Sequence, residues 1–200
     1  SEMCIRDSYN LFKYTLAKLG IDVTFVENQD DAEEWRRAVQ PNTKLFFAET
    51  IGNPKINVLD IRTVADVAHE AGVPLIVDNT IATPYLIRPF EHGADIVVHS
   101  ATKFLGGHGT VIGGVIVDGG TFPWTEHAER FPGLTTPDPS YHGAVYTQAV
   151  GDPLAYVIKA RVQLLRDLGA AISPQSAWLL IQGIETLSLL SLIHISEPTR

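Results

Sequence analysis

Short apolar runs alternate with amphipathic segments through the middle of the chain, and this alternation predicts the fold. A near-continuous apolar run such as residues 74–78 (PLIVD) is typical of a strand buried on both faces of a sheet. A capped helix is predicted between Asp60, a typical N-cap residue, and Gly72, a typical residue just beyond a helix, because the residues between them form one apolar face. Strands followed by helices favour an α/β fold, in which a mostly parallel sheet is flanked by helices. Strands are predicted at 22–27, 44–49, 74–78, 95–99 and 114–118, and further helices at 31–39, 155–169 and 173–187.

The segment 121–146 does not follow this pattern. It is rich in proline, glycine, aromatic residues and histidine, and it has no clear hydrophobic period. A segment of this length without a period, inside a compact domain, is usually functional or disordered. We therefore expect a long loop here.

Both ends of the chain also break the pattern. Residues 1–8 (SEMCIRDS) and 190–200 (LSLIHISEPTR) resemble translated sequencing-adapter DNA more than natural protein. We expect them to be non-native tails on one domain at 9–189. A continuous native reading frame through both tails in the source DNA would contradict this.

Composition narrows the classes of function. A net charge of −8 without a basic run argues against a nucleic-acid surface, and the apolar runs are too short to span a membrane. The single cysteine, Cys4, cannot form an internal disulfide, which favours a reducing cytoplasm. The seven histidines show no metal-ligand spacing, so no metal site is expected.

Candidate chemistry lies just after the apolar runs, because ligands bind at the carboxyl ends of strands in doubly wound sheets. Asp78 ends one run, and Ser100, Thr102 and Lys103 follow the next. Pyridoxal 5'-phosphate (PLP) requires a lysine for a Schiff base, an acid at the pyridine nitrogen and donors for the phosphate. Lys103, Asp78 and the pair Ser100 and Thr102 supply these groups in that order. The sequence therefore predicts a PLP site.

Three motifs carry a resemblance to a known family. They are 49–54 (ETIGNP), 77–80 (VDNT) and 100–103 (SATK), and with them the chain resembles the Cys/Met-metabolism group of PLP enzymes. Within that group, the segment 139–143 (PSYHG) makes the chain most similar to the O-acetylhomoserine sulfhydrylases. The resemblance implies the large domain of a fold-type I PLP-dependent transferase.

The resemblance also implies roles for individual residues. Lys103 becomes the Schiff-base lysine, Asp78 the pyridinium partner, and Ser100 and Thr102 phosphate ligands, while Asn53 lies near the cofactor's 3-hydroxyl and the substrate carboxylate. The implied reaction is γ-replacement on O-acetyl-L-homoserine by sulfide or methanethiol, which gives homocysteine or methionine plus acetate. A homotetramer is implied as well.

The resemblance places some of the machinery outside this chain. A ring-stacking tyrosine and part of the phosphate site would lie upstream of Tyr9. The arginine that holds the substrate carboxylate would lie in a C-terminal small domain. We therefore expect the 200-residue chain itself to be catalytically inactive.

Two alternative functions stay open. A γ-lyase or cystathionine γ-synthase would share the same core, although the segment 139–143 argues against it. A binding or regulatory module would keep the fold without the catalysis, although the pair Lys103 and Asp78 argues against that.

Several other residues invite an interpretation. The glycines at 106–109 and 113–114 lack the Lys and Ser/Thr of a phosphate-binding loop, so we expect them to let the backbone pass close to a cofactor or a neighbouring subunit. His142 either touches substrate or structures its loop. Lys159 is expected to be an ordinary surface lysine.

Overall fold

The computed structural model describes residues 8–52 and 55–196, with side chains through residue 193, and contains one four-stranded sheet. In spatial order the strands are β1 (Phe46–Glu49), β2 (Leu75–Asp78), β3 (Ile96–Ser100) and β4 (Gly114–Asp118). The first three run parallel, and β4 pairs antiparallel with β3. The predicted α/β fold with a mostly parallel sheet is confirmed.

The first helices begin where local capping signals place them. Helix α1 (Ala32–Ala38) follows Asp31, and α2 (Ile61–Glu70) follows Asp60; each aspartate side chain accepts a hydrogen bond from a backbone N–H of the first turn. Gly72 follows α2 with a φ of 67°, as a glycine just beyond a helix should. The remaining α-helices are α3 (Thr83–Leu86), α4 (Pro132–Thr135), α5 (Tyr146–Val150), α6 (Asp152–Lys159), α7 (Arg166–Leu168), α8 (Pro174–Ile184) and α9 (Leu187–Ser196). The 3-10 segments are Ala17–Leu19, Pro89–His92 and Pro139–Tyr141, and the π-helical segments are Leu11–Thr15 and Ala160–Leu165.

Each face of the sheet has its own apolar core, because successive side chains of a strand point to opposite faces. On one face Leu75, Val77 and Val97 pack against α1 and α2. On the other face Ile96 packs against buried aromatic residues of the segment 121–146 and against α6. The parallel strands β1 to β3 are therefore covered on both sides, as the apolar runs predicted.

The segment 121–146 contributes to the core. Phe122 and Trp124 are 2% and 3% exposed, and their ring centroids lie 4.7 Å apart. The segment also contains α4 and the 3-10 turn Pro139–Tyr141. Outside these two elements the backbone is turns and irregular structure, as predicted, and the aromatic side chains of this loop are packed against the sheet.

Two strand predictions need correction. Residues 22–27 form no strand in the structure and are mostly exposed, since a β-rich composition makes a strand only where a neighbouring backbone can pair with it. Strand β4 was expected to be buried like the others, yet Ile116 is 59% exposed. The connection from β3 to β4 contains turns and no crossover helix, so β4 returns antiparallel at the edge of the sheet.

The predicted helix at 173–187 is two helices, α8 and α9, and α9 runs on into the segment that was expected to be a non-native tail. Within the described residues, no single helix is long and apolar enough to cross a membrane. The pair Pro174–Ile184 and Leu187–Ile193 reaches that length and composition only together, with a bend of 55° between them.

Candidate active site

The carboxyl ends of the three parallel strands meet at one edge of the sheet. Glu49 of β1 pairs with Asp78 of β2, and Asp78 pairs with Val98 of β3. Because side chains alternate along a strand, Ser100 projects to the same side of the sheet as Val98 and Asp78. The structure therefore brings Asp78 and Ser100 to the same side of the same edge.

The hydroxyl of Thr80 joins these two strand ends. Its Oγ lies 2.5 Å from Asp78 Oδ1, and the backbone N–H of Ser100 donates to it at 2.7 Å. Asp78 Oδ1 also accepts from the backbone N–H of Thr80 at 2.9 Å. No role was predicted for Thr80 from the sequence, although its place two residues after the acid is a recognisable signal for a turn in which an aspartate accepts from the backbone.

A buried polar pair supports the same turn from below. Thr50 and Asn79 are 2% and 0% exposed, and Thr50 Oγ donates to Asn79 Oδ1 at 2.8 Å. The amide nitrogen of Asn79 donates to the carbonyl oxygen of Ile87 at 3.0 Å. Asn79 therefore links β1, β2 and the segment after α3, which fixes the residues on either side of it.

Lys103 lies in a hydrogen-bonded turn just beyond β3, and its side chain is exposed. Its backbone N–H donates to Ser100 O at 3.1 Å, and its carbonyl accepts from Gly107 N at 2.8 Å. Within the described residues, Lys103 Nζ has no hydrogen bond or ion pair. The backbone at this lysine is fixed, whereas its amine is available.

Thr102 is more constrained than the sequence indicated. Its Oγ accepts from the backbone N–H of Gly113 at 3.0 Å and lies 3.3 Å from the Gly113 carbonyl oxygen. The backbone N–H of Thr102 also donates to that carbonyl, at 3.2 Å. Thr102 therefore ties the Lys103 turn to the start of β4, and the Ser100 hydroxyl is the freer of the two predicted phosphate ligands.

His99 is buried beside this edge, with 7% of its surface exposed. Burial lowers the pKa of His99, and the negative charge of Asp78 and a hydrogen bond to the backbone of Asn79 oppose that shift. Its Nδ1 has no hydrogen-bond partner in the part of the chain that the structure describes. The low polarity around the ring thus favours neutral imidazole.

The glycines after Lys103 contact the chain's own helices. A Cβ on Gly183 of α8 would lie 2.1 Å from the carbonyl oxygen of Gly106, and a Cβ on Gly106 would lie 3.1 Å from Leu180. A Cβ on Gly107 would lie 2.9 Å from Leu190 of α9. Gly106 and Gly107 therefore let α8 and α9 cross directly over the turn. The approach of the glycines at 106–109 and 113–114 to a cofactor or another subunit stays a prediction.

The segment 139–143 is anchored by Asp138. Its Oδ1 accepts from the backbone N–H and the hydroxyl of Ser140 at 2.8 and 2.6 Å, and its Oδ2 accepts from Tyr146 Oη at 3.0 Å and Lys159 Nζ at 3.2 Å. These bonds, led by that from the Ser140 hydroxyl, hold the pKa of Asp138 well below its usual range. Lys159 is thus a partner of a buried carboxylate, which corrects its assignment as an ordinary surface lysine. His142 sits in the left-handed region with a φ of 57°, directly after this anchor.

Two predictions remain, one on Asn53 and one on metal binding. Asn53, the predicted contact of the cofactor and the substrate carboxylate, lies outside the described residues. Across residues 8–52 and 55–196, no group of three or more histidine, cysteine, aspartate or glutamate side chains could hold a metal ion.

Comparison with known proteins identifies the family. A family model described as "Cys/Met metabolism PLP-dependent enzyme" matches residues 1–193. The chain is 56% identical over 189 residues to an O-acetyl-L-homoserine sulfhydrylase of Leptospira meyeri, covering 91% of this chain and 42% of that protein. It is 53% identical over 191 residues to a homocysteine synthase of Schizosaccharomyces pombe, covering 95% of this chain and 44% of that protein.

A solved structure gives the same answer for the fold. It is described as an O-acetylhomoserine (thiol)-lyase of Campylobacter jejuni and contains pyridoxyl-lysine-5'-monophosphate. The two structures superimpose with a TM-score of 0.85 at 37% sequence identity, and the match covers 92% of this chain and 44% of that one. The chain thus spans less than half the length of the relatives it matches. It belongs to the family of PLP-dependent enzymes of cysteine and methionine metabolism.

Proposed function

We propose that the protein containing this chain catalyses PLP-dependent γ-replacement on O-acetyl-L-homoserine. Sulfide or methanethiol would replace the acetoxy group, which leaves as acetate, and the product would be homocysteine or methionine. The observation that carries the proposal is the arrangement of Asp78, Ser100 and Lys103 at the ends of β2 and β3, in a chain 56% identical to an O-acetyl-L-homoserine sulfhydrylase.

The residues at this edge fit PLP. Among the described residues, Asp78 Oδ2 has no hydrogen-bond partner, whereas Oδ1 accepts two hydrogen bonds. An ionised carboxylate with one oxygen free suits a protonated pyridine nitrogen. The amine of Lys103 and the hydroxyl of Ser100 are likewise without partners in the described chain. One acid, one amine and one hydroxyl are thus available together.

Each residue would act at a defined atom. When bound, PLP draws electrons from the substrate's Cα through its protonated ring. Asp78 would hold the proton at the ring nitrogen, and Ser100, with Thr102, would bind the phosphate. Lys103 Nζ would hold the cofactor covalently and, once displaced by the substrate amine, would take the proton from Cα. Asn53 would contact the cofactor's 3-hydroxyl and the substrate carboxylate.

The proposal extends to the setting of the complete protein. We infer a homotetramer in the cytoplasm, acting on small molecules and binding neither nucleic acid nor membrane, with 9–189 as native domain and 1–8 and 190–200 as non-native tails. The net charge of −8 supports the expectation that the protein binds no nucleic acid. Gene sequence beyond both ends tests the tails, and sedimentation of the complete protein tests the tetramer.

Cofactor binding is tested on the complete protein, after its cofactor has been removed. PLP is added to the complete protein and to its variants Lys103→Ala and Lys18→Ala, and the visible absorption of bound cofactor is measured. Lys18 is exposed and lies in the 3-10 turn Ala17–Leu19, far along the sequence from the strand ends, so it is a suitable control. We expect the band in the unsubstituted protein and in Lys18→Ala, and its loss in Lys103→Ala. A band that persists in Lys103→Ala would contradict the assignment.

Catalysis is tested on the complete protein with O-acetyl-L-homoserine and each thiol. A positioned acid or base contributes roughly 10²–10⁴-fold to a rate, and Lys103→Ala should cost at least that because the covalent tether is lost too. The 200-residue chain should show no turnover. Turnover with a cystathionine substrate in place of O-acetyl-L-homoserine would favour a γ-lyase instead.

A further inference from the structure

Thr80 occupies a position between the two strand ends that the proposed chemistry does not use directly. Its hydroxyl contacts Asp78 Oδ1 of β2 and the backbone nitrogen of Ser100 at the end of β3. The residue is half-buried, so these bonds compete only partly with water. A side chain that bridges two strand ends at the candidate site is a candidate positioning residue.

The direction of both hydrogen bonds follows from simple chemistry. The backbone N–H of Ser100 can only donate, so Thr80 Oγ must accept it. The single hydroxyl proton of Thr80 is then left for Asp78 Oδ1, 2.5 Å away. Asp78 Oδ1 therefore accepts from both the hydroxyl and the backbone N–H of Thr80, an arrangement that suits the ionised carboxylate.

This arrangement distinguishes the two oxygens of Asp78. Oδ1 is held by two hydrogen bonds from one residue, which restricts rotation of the carboxylate about its last torsion. Oδ2 is left free in the described part of the chain. Because Ser100 belongs to the strand that leads into Lys103, the same hydroxyl also sets the distance between the acid and the lysine-bearing turn.

We propose that Thr80 is the positioning residue of Asp78: it directs Oδ2 toward the pyridine nitrogen and ties that carboxylate to the strand that carries the lysine. The inference rests on the proposed PLP site. Thr80 touches neither the cofactor nor the substrate in this proposal, and acts through Asp78 and Ser100.

The test compares three substitutions of Thr80 with a matched control. Thr80→Val keeps the shape without the hydroxyl, Thr80→Ala removes the hydroxyl with less volume, and Thr80→Ser keeps it. Thr63→Val is the control, because Thr63 also bonds a nearby aspartate through its hydroxyl and backbone N–H, at the start of α2: its Oγ donates to Asp60 Oδ2 at 2.8 Å and its N–H donates to Asp60 Oδ1. Each variant is made in the complete protein and titrated with PLP while the visible band is recorded, and circular dichroism confirms folding.

We expect Thr80→Val and Thr80→Ala each to weaken PLP binding by at least about tenfold, the worth of a hydrogen bond to a charged group. Thr80→Ser should restore most of the affinity, and Thr63→Val should bind like the unsubstituted protein. At saturating PLP, the wavelength and pH dependence of the band should change in Thr80→Val and Thr80→Ala. A purely structural role would lower the folded fraction and leave the spectrum of the bound cofactor unchanged.

The outcomes separate this inference from the proposed function. If the unsubstituted complete protein shows a band that depends on Lys103, while folded Thr80→Val and Thr80→Ala bind PLP with unchanged affinity and spectrum, the role of Thr80 is refuted alone. If the unsubstituted complete protein shows no band that depends on Lys103, the proposed PLP site is refuted, and the inference with it.

Discussion

The buried pair Thr50 and Asn79 gives the most quantitative prediction. Thr50→Val keeps the side-chain shape but leaves Asn79 Oδ1 without its donor at 2.8 Å, in a position where both residues are at most 2% exposed. An unsatisfied buried polar group costs about 1–3 kcal/mol, so Thr50→Val should lower the free energy of unfolding by that amount. Asn79→Leu leaves the Ile87 carbonyl without its donor and leaves the Thr50 hydroxyl only its longer contact with the Asp78 carbonyl oxygen at 3.3 Å, and should cost at least about 1–3 kcal/mol.

The double variant isolates the hydrogen bond itself. Each single variant loses the hydrogen bond between Thr50 and Asn79. The double variant, Thr50→Val with Asn79→Leu, loses that same bond once, because both of its partners are now apolar. The double variant should therefore be more stable than the two separate losses imply, by about 1 kcal/mol. Unfolding by urea, followed by circular dichroism, gives the free energy of unfolding of all four proteins.

Two results would refute this reasoning. A loss below about 0.5 kcal/mol in Thr50→Val would mean that water or a rearranged side chain satisfies Asn79, because changes of that size are typical of surface substitutions. Strict additivity in the double variant would mean that the two side chains do not act as a pair. Either result would remove the support that we assign to the turn at Asp78.

Gly183→Ala should destabilise the chain by about 1–3 kcal/mol, because the new Cβ would lie 2.1 Å from the carbonyl oxygen of Gly106. Gln182→Ala, at the exposed neighbouring position, is the control. Equal urea midpoints for the two variants would contradict the close crossing of α8. The pKa of His69 is raised, chiefly by its hydrogen bond to Asp95 at 2.9 Å, so this pair stabilises the fold fully below the ordinary value of 6.5 and loses that contribution as the pH rises through the raised pKa. The difference in urea midpoint between the unsubstituted chain and His69→Gln should therefore shrink from acidic to alkaline pH, and a difference that does not change with pH would contradict the assignment.

Local signals were enough to predict much of the fold and the order of the candidate site. The strands predicted at 74–78 and 95–99 begin and end within one residue of the observed strands β2 and β3. The length of an apolar run depends only on the segment itself, so it is visible in the sequence. The cap at Asp60 was predictable for the same reason, because its partner Thr63 is three residues away.

Contacts between distant segments were not predictable in this way. The link from Thr80 to Ser100 and the approach of Gly183 to Gly106 depend on how strands and helices pack, and no local pattern in the sequence marks those pairs. Residues 22–27 show the converse, since their composition favours a strand but no neighbouring strand pairs with them.

The turn that carries Lys103 is closed at both ends and covered by a helix. Gly106 N donates to Ala101 O at 2.8 Å, Gly107 N donates to the Lys103 carbonyl at 2.8 Å, and Gly183 of α8 packs directly on Gly106. A ligand that binds the amine therefore restricts the rotamers of one long side chain, which costs about 1.5–2 kcal/mol of conformational entropy. The main chain of the turn is already ordered before binding, so it adds no further entropy cost. The flexible methylene arm can swing its nitrogen between two bonding partners while its Cα stays in place.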